Sequence, residues 1–428
     1  MAWFMEMLRK EHTFMETTEI TDSYSRLSRE EIQALEEQYL FPTYKRYDLF
    51  ISHGSGAYVF DIEGRKYLDF LAGIAVNSLG YNHPRLVRVL EEQGQRMIHC
   101  SNLFYHRYQG ILAKRLAEIS GMSRVFFTNS GTEAIEAALK ISRAYSHKRG
   151  KLNKSGIVAL KNSFHGRTFG ALSITAQEKY QAPFRPLVPE VTIMEDIAVP
   201  ALERVFSDRV CAMVVEPIQG EGGVVSISPD FLRAARQLCT RYDALLVFDE
   251  IQCGLGRTGR YFAFQNYGIE PDLITLAKSL AAGYPLGAVL GNKRVADSLQ
   301  PGEHGTTFGG GPLACRLALE FLDVIEDEAL LGRVAQLGEH LIGGLRELAS
   351  LHKTIGEVRG LGLMVGADLG AAAKTVVQKL LKRGIIANAA HESVLRLLPP
   401  FIVTKDEVND FLRILDEVLT EVEAEARD

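Results

Sequence analysis

Few cysteines, no long apolar run and no excess of positive charge set the first bounds on this chain of 428 residues. Its five cysteines, Cys100, Cys211, Cys239, Cys253 and Cys315, are an odd number, widely spaced and never in a C-x-x-C pair. That pattern argues against a disulfide framework or a zinc ribbon and for reduced thiols, the state expected in the cytoplasm. No uninterrupted apolar stretch is long enough to span a bilayer. The opening MAWFMEMLRKEH carries apolar residues, but Glu6 interrupts them, so no secretory segment is expected there. The formal net charge is −5, which builds in no attraction to nucleic acid or to an anionic membrane and leaves a small molecule or a protein as the expected partner. H-E-x-x-H is absent, and His99, Cys100 and His106 are the only nearby group of ligand-type side chains, so no metal site is expected. Internal repeats and low-complexity tracts are lacking too.

What is present is an ordinary globular composition, 46% hydrophobic, in a chain too long for one small core; two packed units are expected. Before about Tyr44 the sequence is charge-rich, with one helix expected in SREEIQALEEQYL, where Ser28 and Glu31 form a capping box. YVFDIEGRKYLDFLAGIAV reads as a hairpin turning at Glu63 and Gly64. From about Gly121, apolar runs alternate with amphipathic segments: RVFFTNS, GIVALKN, CAMVVEP, ALLVFDE, DLITLAK and PLGAVLG. This order implies an α/β fold with a largely parallel sheet covered on both faces, which binds ligands beyond its strand C-termini. Ser228 and Pro229 mark the start of one covering helix. After about Phe308 come long helices and a few strands, VRGLGLMVGADL, IIANAA and VLRLLPP, then a helix after Thr404 with Val408, Phe411, Leu412, Leu415, Val418 and Leu419 on one stripe. This reads as a smaller α+β unit.

The stretch VFDEIQCGLGRTG fits G-x-G-x-x-G at Gly254, Gly256 and Gly259. A dinucleotide fingerprint needs a helix next, and RYFAFQNYGIEPD has no helical periodicity; Arg260 and Tyr261 also break a Walker pattern. A surface turn would account for the glycines but not for Asp249, a carboxylate at the end of a buried strand, which needs a cationic partner to stay charged. Lys278 follows the next apolar run and would emerge at the same sheet edge, although a lysine at a strand end is commonly just solvated. Together Asp249 and Lys278 make the pair a pyridoxal-phosphate enzyme requires: an amine to bond the aldehyde and an acid to keep the ring nitrogen protonated.

Such a site also needs a phosphate cradle and an aromatic face. Ser130, Gly131, Thr132 and Glu133 open a helix with an apolar side of Ala134, Ala137, Ala138, Ile141, Ala144 and Tyr145, closed by Gly150; free N–H groups there bind phosphate, although a plain capping box would look the same. SFHGRT places Phe164 to stack on the ring and Arg167 to hold a carboxylate, unless they are core filler and a surface charge. Thr306 and Thr307 in HGTTFGG offer further phosphate or substrate contacts.

NSGTEA, SFHGRT, VVEPIQGEGG, VFDEIQCGLGRTG, LAKSLAAGYPLGA, TTFGG and VLRLLPP, standing in this order between about Tyr58 and Leu419, give the chain its resemblance to the class-III aminotransferases of fold type I. SNLFYH and GIAVNSLG are most similar to that family's acetylornithine branch. The resemblance implies a large domain around a mostly parallel seven-stranded sheet plus a smaller α+β domain, here an N-terminal extension and associated segment over residues 1–79, a cofactor domain over 80–322 and a small domain over 323–428. It implies that Lys278 carries pyridoxal 5'-phosphate, with Asp249 on the ring nitrogen, Gln252 near the ring hydroxyl, Phe164 on the ring, and Ser130, Gly131 and Thr132 at the phosphate. Thr307 would join that phosphate from the partner subunit of a homodimer. Arg167 would bind the substrate α-carboxylate with Thr306 nearby, Arg396 a carboxylate of 2-oxoglutarate, and Glu221 would neutralise Arg396 when the amine donor is bound.

The implied reaction is transamination between N-acetylornithine and 2-oxoglutarate in the cytoplasm, a step of arginine biosynthesis. Donors such as ornithine, succinylornithine or a carrier-bound lysine derivative, an aminomutase, and a non-catalytic or dinucleotide-binding protein are the alternatives. Ile135, Gly311 and Tyr81 depart from the family's usual Asn, Asn and His, which bears on local geometry and substrate preference rather than on reaction type.

Overall fold

The computed structural model describes residues 27–426; the opening MAWFMEMLRKEH lies outside them. The described chain forms two compact units, one built from residues up to Ser52 with Asp61–Gly64, the other from His53–Phe60 and Arg65 onward. In the first, the helix Arg29–Tyr39 starts at the expected capping box of Ser28 and Glu31 and buries none of its side chains. Its one apolar stripe, Ile32, Leu35 and Tyr39, is not buried, so the helix contributes no core.

The second unit is organised around seven strands: β1 (Arg124–Thr128), β2 (Gly156–Leu160), β3 (Val191–Met194), β4 (Val210–Val215), β5 (Leu245–Asp249), β6 (Leu273–Leu276) and β7 (Gly287–Gly291), in the order β1-β7-β6-β5-β4-β2-β3. Only β7 runs antiparallel to its neighbours. Every residue of β4, β5 and β6 is buried, which is why these strands read as continuous apolar runs rather than alternations. β3 was not evident from the sequence: it is four residues long, partly exposed and paired on one side only. The helix Pro229–Arg241 begins as expected, the Ser228 side chain accepting from the Phe231 N–H.

Lys66–Asp69 pairs antiparallel with Tyr58–Asp61 and parallel with Ile385–Ile386, joining the early hairpin to a late segment. The second hairpin strand stops at Asp69 instead of continuing through Phe70–Val76. Asp69 Oδ1 accepts the N–H groups of Leu71 and Ala72 at 2.8 and 2.9 Å, and Ala72, Gly73, Ile74 and Ala75 then take positive φ, which bends the chain out of the strand. The Tyr81 hydroxyl donates to Asp69 Oδ2 at 2.6 Å, so this departure from the family pattern braces the bend. Ile135 is fully buried, and Gly311 precedes the helix Pro312–Asp327 without a side-chain cap.

Val358–Leu361, Met364–Asp368, Val394–Leu397 and Asn388–Ala390 form an antiparallel sheet in that order. The final helix, Lys405–Glu425, is capped by Thr404 and Glu407 and buries Val408, Phe411, Leu415, Val418 and Leu419. No helix among the described residues is long and apolar enough to cross a membrane.

Candidate active site

Because six of the seven strands are parallel, the segments leaving β1, β2, β4, β5 and β6 emerge at one sheet edge. There they line a cavity of about 440 Å³ that includes Ser130, Gly131, Thr132, Phe164, Arg167, Glu221, Asp249, Gln252 and Lys278. Arg396 is not in the cavity wall but is one hydrogen bond behind it. Thr306 borders a neighbouring cavity with Asn102 and His304, and Thr307 is exposed.

Asp249 closes β5 and is 3% exposed. Its Oδ1 accepts from the Ile251 N–H and the Thr275 hydroxyl, both at 3.1 Å, and its Oδ2 lies 2.7 Å from His165 Nδ1. His165 was not singled out from the sequence, since only folding brings it against a residue 84 positions away. Burial disfavours its charged form, but the hydrogen bond and charge of Asp249, with Glu216 adding to them, raise its pKa overall. Glu216 is buried as well, its oxygens accepting the N–H groups of Phe164 and Gly220 at 2.9 and 3.1 Å; desolvation pushes its pKa up. A carboxylate held by three donors in a cavity wall is a ready counter-charge for a ring nitrogen.

Lys278 follows β6 after Ala277, with φ +44°, a backbone conformation that non-glycine residues adopt only when their surroundings enforce it. The next residue, Ser279, is held in place: its hydroxyl bonds Ser78 Oγ at 2.6 Å and donates to the Ala75 carbonyl at 3.1 Å. The lysine is only half-buried by accessible area, yet its amine is densely surrounded by protein; that desolvation lowers its pKa, with Glu221 opposing the shift and Arg396 reinforcing it.

Ser130 caps the helix Gly131–Lys148 by accepting from the Glu133 N–H. The N–H groups of Gly131 and Thr132 have no acceptor within the helix and are the natural phosphate donors. A Cβ on Gly131 would meet Ile251 Cδ1 at 2.8 Å, so glycine keeps the backbone close. The Thr132 hydroxyl accepts from the N–H groups of Arg167 and Thr168 at 3.2 Å each, tying the cradle to the loop after β2. Gly166 must be glycine there: its φ is +134°, and a Cβ would come 2.2 Å from Thr132 Oγ1.

The two arginines differ in state. Arg396, 1% exposed, donates to Glu221 Oε1 at 2.5 Å, to Gln252 Oε1 at 3.4 Å and to Asn388 Oδ1 at 3.2 Å. Burial raises the Glu221 pKa, but the charge and hydrogen bond of Arg396 outweigh it and hold the carboxyl below its ordinary value. Arg167 is exposed and, among the described residues, has no carboxylate within ion-pair distance; its guanidinium lies over Tyr180, 3.7 Å from the ring centroid.

The glycine turn proves structural. No helix follows Gly259; the chain enters bends and a short 3-10 turn at Ala263–Asn266. Arg257 inside the turn is fully buried, donating to the carbonyls of Leu363 and Pro399 at 3.1 and 2.5 Å and to Ser78 Oγ at 3.1 Å. These bonds from Nη1 and Nη2 lock the turn to distant segments, while the buried Nε finds no acceptor among the described residues.

These residues suit pyridoxal phosphate: a desolvated amine, a buried acid, a helix N-terminus too close-packed for a side chain and an aromatic ring, Phe164, share one cavity. Residues 41–419 match the family model described as aminotransferase class-III. The chain is 44% identical over 398 residues to the acetylornithine aminotransferase of Methanocaldococcus jannaschii, covering 92% of this chain and 100% of that protein. It is 43% identical over 388 residues to the acetylornithine aminotransferase of Caldanaerobacter subterraneus, covering 90% and 98%. Among solved structures, the ornithine aminotransferase of Toxoplasma gondii superposes with a TM-score of 0.90 at 36% identity over 94% of this chain and 97% of that one. The acetylornithine aminotransferase of Elizabethkingia anophelis gives 0.81 at 32% over 92% and 99%. With its acid, amine and cradle gathered at the C-terminal edge of a mostly parallel sheet, the chain belongs to the class-III aminotransferases, enzymes that work through pyridoxal phosphate.

Proposed function

We propose that this enzyme transfers the δ-amino group of N-acetylornithine to 2-oxoglutarate, giving N-acetylglutamate 5-semialdehyde and glutamate, a step of arginine biosynthesis. The observation that carries the reading is the contrast between an unpaired arginine on the cavity, Arg167, and a buried one already paired, Arg396 with Glu221. The donor presents one carboxylate and an uncharged acetyl group; the acceptor presents two carboxylates. A permanently available cation beside a conditionally available one matches that pair of substrates.

Bound pyridoxal phosphate supplies an aldehyde that takes and returns the amino group and a ring that accepts electron density from the reacting carbon. Lys278 would bond that aldehyde at rest and, as the free amine, would move the proton at the donor δ-carbon; its lowered pKa keeps a larger fraction of the amine neutral and able to do so. Asp249, backed by His165, would favour the protonated ring nitrogen, and Gln252 would bind the ring hydroxyl. Phe164 would cover a ring face, and Ser130, Gly131 and Thr132 would hold the phosphate. Arg167 grips the α-carboxylate; Thr306 reaches the cavity only through Asn129, whose side-chain amide donates to its hydroxyl at 3.3 Å. For 2-oxoglutarate, Glu221 withdraws and Arg396 takes the second carboxylate.

We read the working form as a cytoplasmic homodimer in which Thr307 serves the neighbour's phosphate. In support, Thr307 is flanked by exposed apolar residues, Phe308 on its own loop and Leu103 and Phe104 on a turn whose Asn102 donates to the Thr306 carbonyl at 3.1 Å; such a patch suits a partner surface. We also assign residues 80–322 to cofactor binding and 323–428 to a small domain, the helix Pro312–Asp327 running between them, with 1–79 as extension and associated segment.

Glutamate formation from 2-oxoglutarate with a panel of amines tests the donor. N-acetylornithine should give the highest kcat/KM; a higher value with ornithine or succinylornithine would displace this reading.

A further inference from the structure

A carboxylate-binding arginine has to be held in one orientation, yet an acid that held it would also cancel its charge and compete with substrate. Arg167 meets this conflict in an unusual way. Its guanidinium carbon lies 3.7 Å from the Tyr180 ring centroid and 5.6 Å from that of Phe164. Its backbone N–H is anchored to Thr132 Oγ1 at 3.2 Å. An aromatic face engages the flat of the guanidinium and leaves its N–H donors, which radiate in the plane, open to a ligand.

The seat itself is fixed. Tyr180 lies in the one-turn helix Glu178–Gln181, and the Gln181 side-chain amide donates to the carbonyls of Leu172, Ser173 and Thr175 at 3.0, 3.3 and 3.0 Å, pinning that turn to the preceding segment. The Tyr180 ring meets Phe164 edge-on, centroids 6.1 Å apart at 82°. Glu178, the acid of this turn, is occupied on both oxygens by Arg185 at 2.6 Å each, so it does not reach for Arg167. Lys179 is the other cation near the ring, its Nζ 5.0 Å from the centroid.

We propose that Tyr180 is a positioning residue for the donor α-carboxylate: its ring seats the Arg167 guanidinium beside Phe164 without neutralising it. The inference rests on Arg167 being the carboxylate ligand. The ring, not the hydroxyl, does the seating, so phenylalanine should substitute and an aliphatic residue should not.

The holoenzyme provides the test. Tyr180→Leu should raise KM for N-acetylornithine about tenfold with kcat within about twofold of wild type. Calorimetry should show the same loss for N-acetylnorvaline, an unreactive analogue without the δ-amine, while KM for N-acetylputrescine, which lacks the α-carboxylate, stays unchanged. Tyr180→Phe should restore the KM for N-acetylornithine and the binding of N-acetylnorvaline to their wild-type values. Equal losses with both amines, or failure of phenylalanine to restore them, would overturn the proposal. Arg167→Ala separates the two layers: if it leaves N-acetylnorvaline binding intact, the reading of Arg167 falls, whereas weakened binding there with none in Tyr180→Leu removes Tyr180 alone.

Discussion

Arg396 Nη1 and Glu221 Oε1 stand 2.5 Å apart, but the two partners are unequally enclosed, the arginine side chain 1% exposed and the glutamate 26%. The arginine is also held by Asn388 and Gln252. Glu221 thus gives up fewer contacts and is the more easily rehydrated partner, which is why the proposed switch moves the glutamate and not the arginine.

Glu221→Ala should harm the donor half-reaction selectively. An unpaired buried guanidinium beside an uncharged acetyl group is unfavourable, so the single-turnover KM for N-acetylornithine should rise at least about tenfold, while that for 2-oxoglutarate is unchanged or falls. Equal losses in both half-reactions would remove the switch.

Lys278→Ala should lower kcat by at least about a hundredfold and abolish the visible absorbance of lysine-bound cofactor. Soluble, folded protein with full activity would end the assignment.

His165→Phe should weaken cofactor retention. Asp249 keeps two donors but loses the one on Oδ2, and leaving a buried acceptor unsatisfied costs about 1–3 kcal/mol. Urea unfolding of the cofactor-free protein and cofactor loss on dialysis read the two effects separately; no change in either would mean the pair is immaterial.

Glu250 should make stability depend on pH in the direction opposite to a salt-bridged acid. Burial raises its pKa to about 8 from 4.5, against the pull of the Phe264 and Ala263 N–H groups. The folded state thus holds its proton more tightly than the unfolded chain. That stabilisation is complete below about 4.5 and is lost as pH rises through about 8. Melting temperatures of the cofactor-free protein between pH 5 and 9 should decline in the wild type and lose that part of the slope in Glu250→Gln, whatever that variant's overall stability. Parallel slopes would assign the decline to other groups.

Much of the architecture was legible because it is written in local patterns. β4, β5 and β6 are continuous apolar runs, and each ends in a polar segment, so Asp249 and Lys278 could be placed at one sheet edge from strand order alone. Ser28, Ser130, Ser228 and Thr404 were readable as helix starts because a cap acts on an N–H three residues away. The short strand β3 and the left-handed bend at Ala72–Ala75 were not, since the first has little burial to pattern it and the second depends on the carboxylate of Asp69.

The chain alone therefore determined the parallel sheet, its helices and the chemical types collected at its edge, all consequences of periodicity and of neighbours a few residues apart. The Glu221–Arg396 pair was implied by the family resemblance, but folding alone decided the other pairings: His165 on Asp249, Tyr180 under Arg167 and Arg257 on the carbonyls of Leu363 and Pro399. Some of these partners are more than a hundred residues apart, and the energy that joins them comes from desolvation and close approach in three dimensions, which no spacing along the chain encodes.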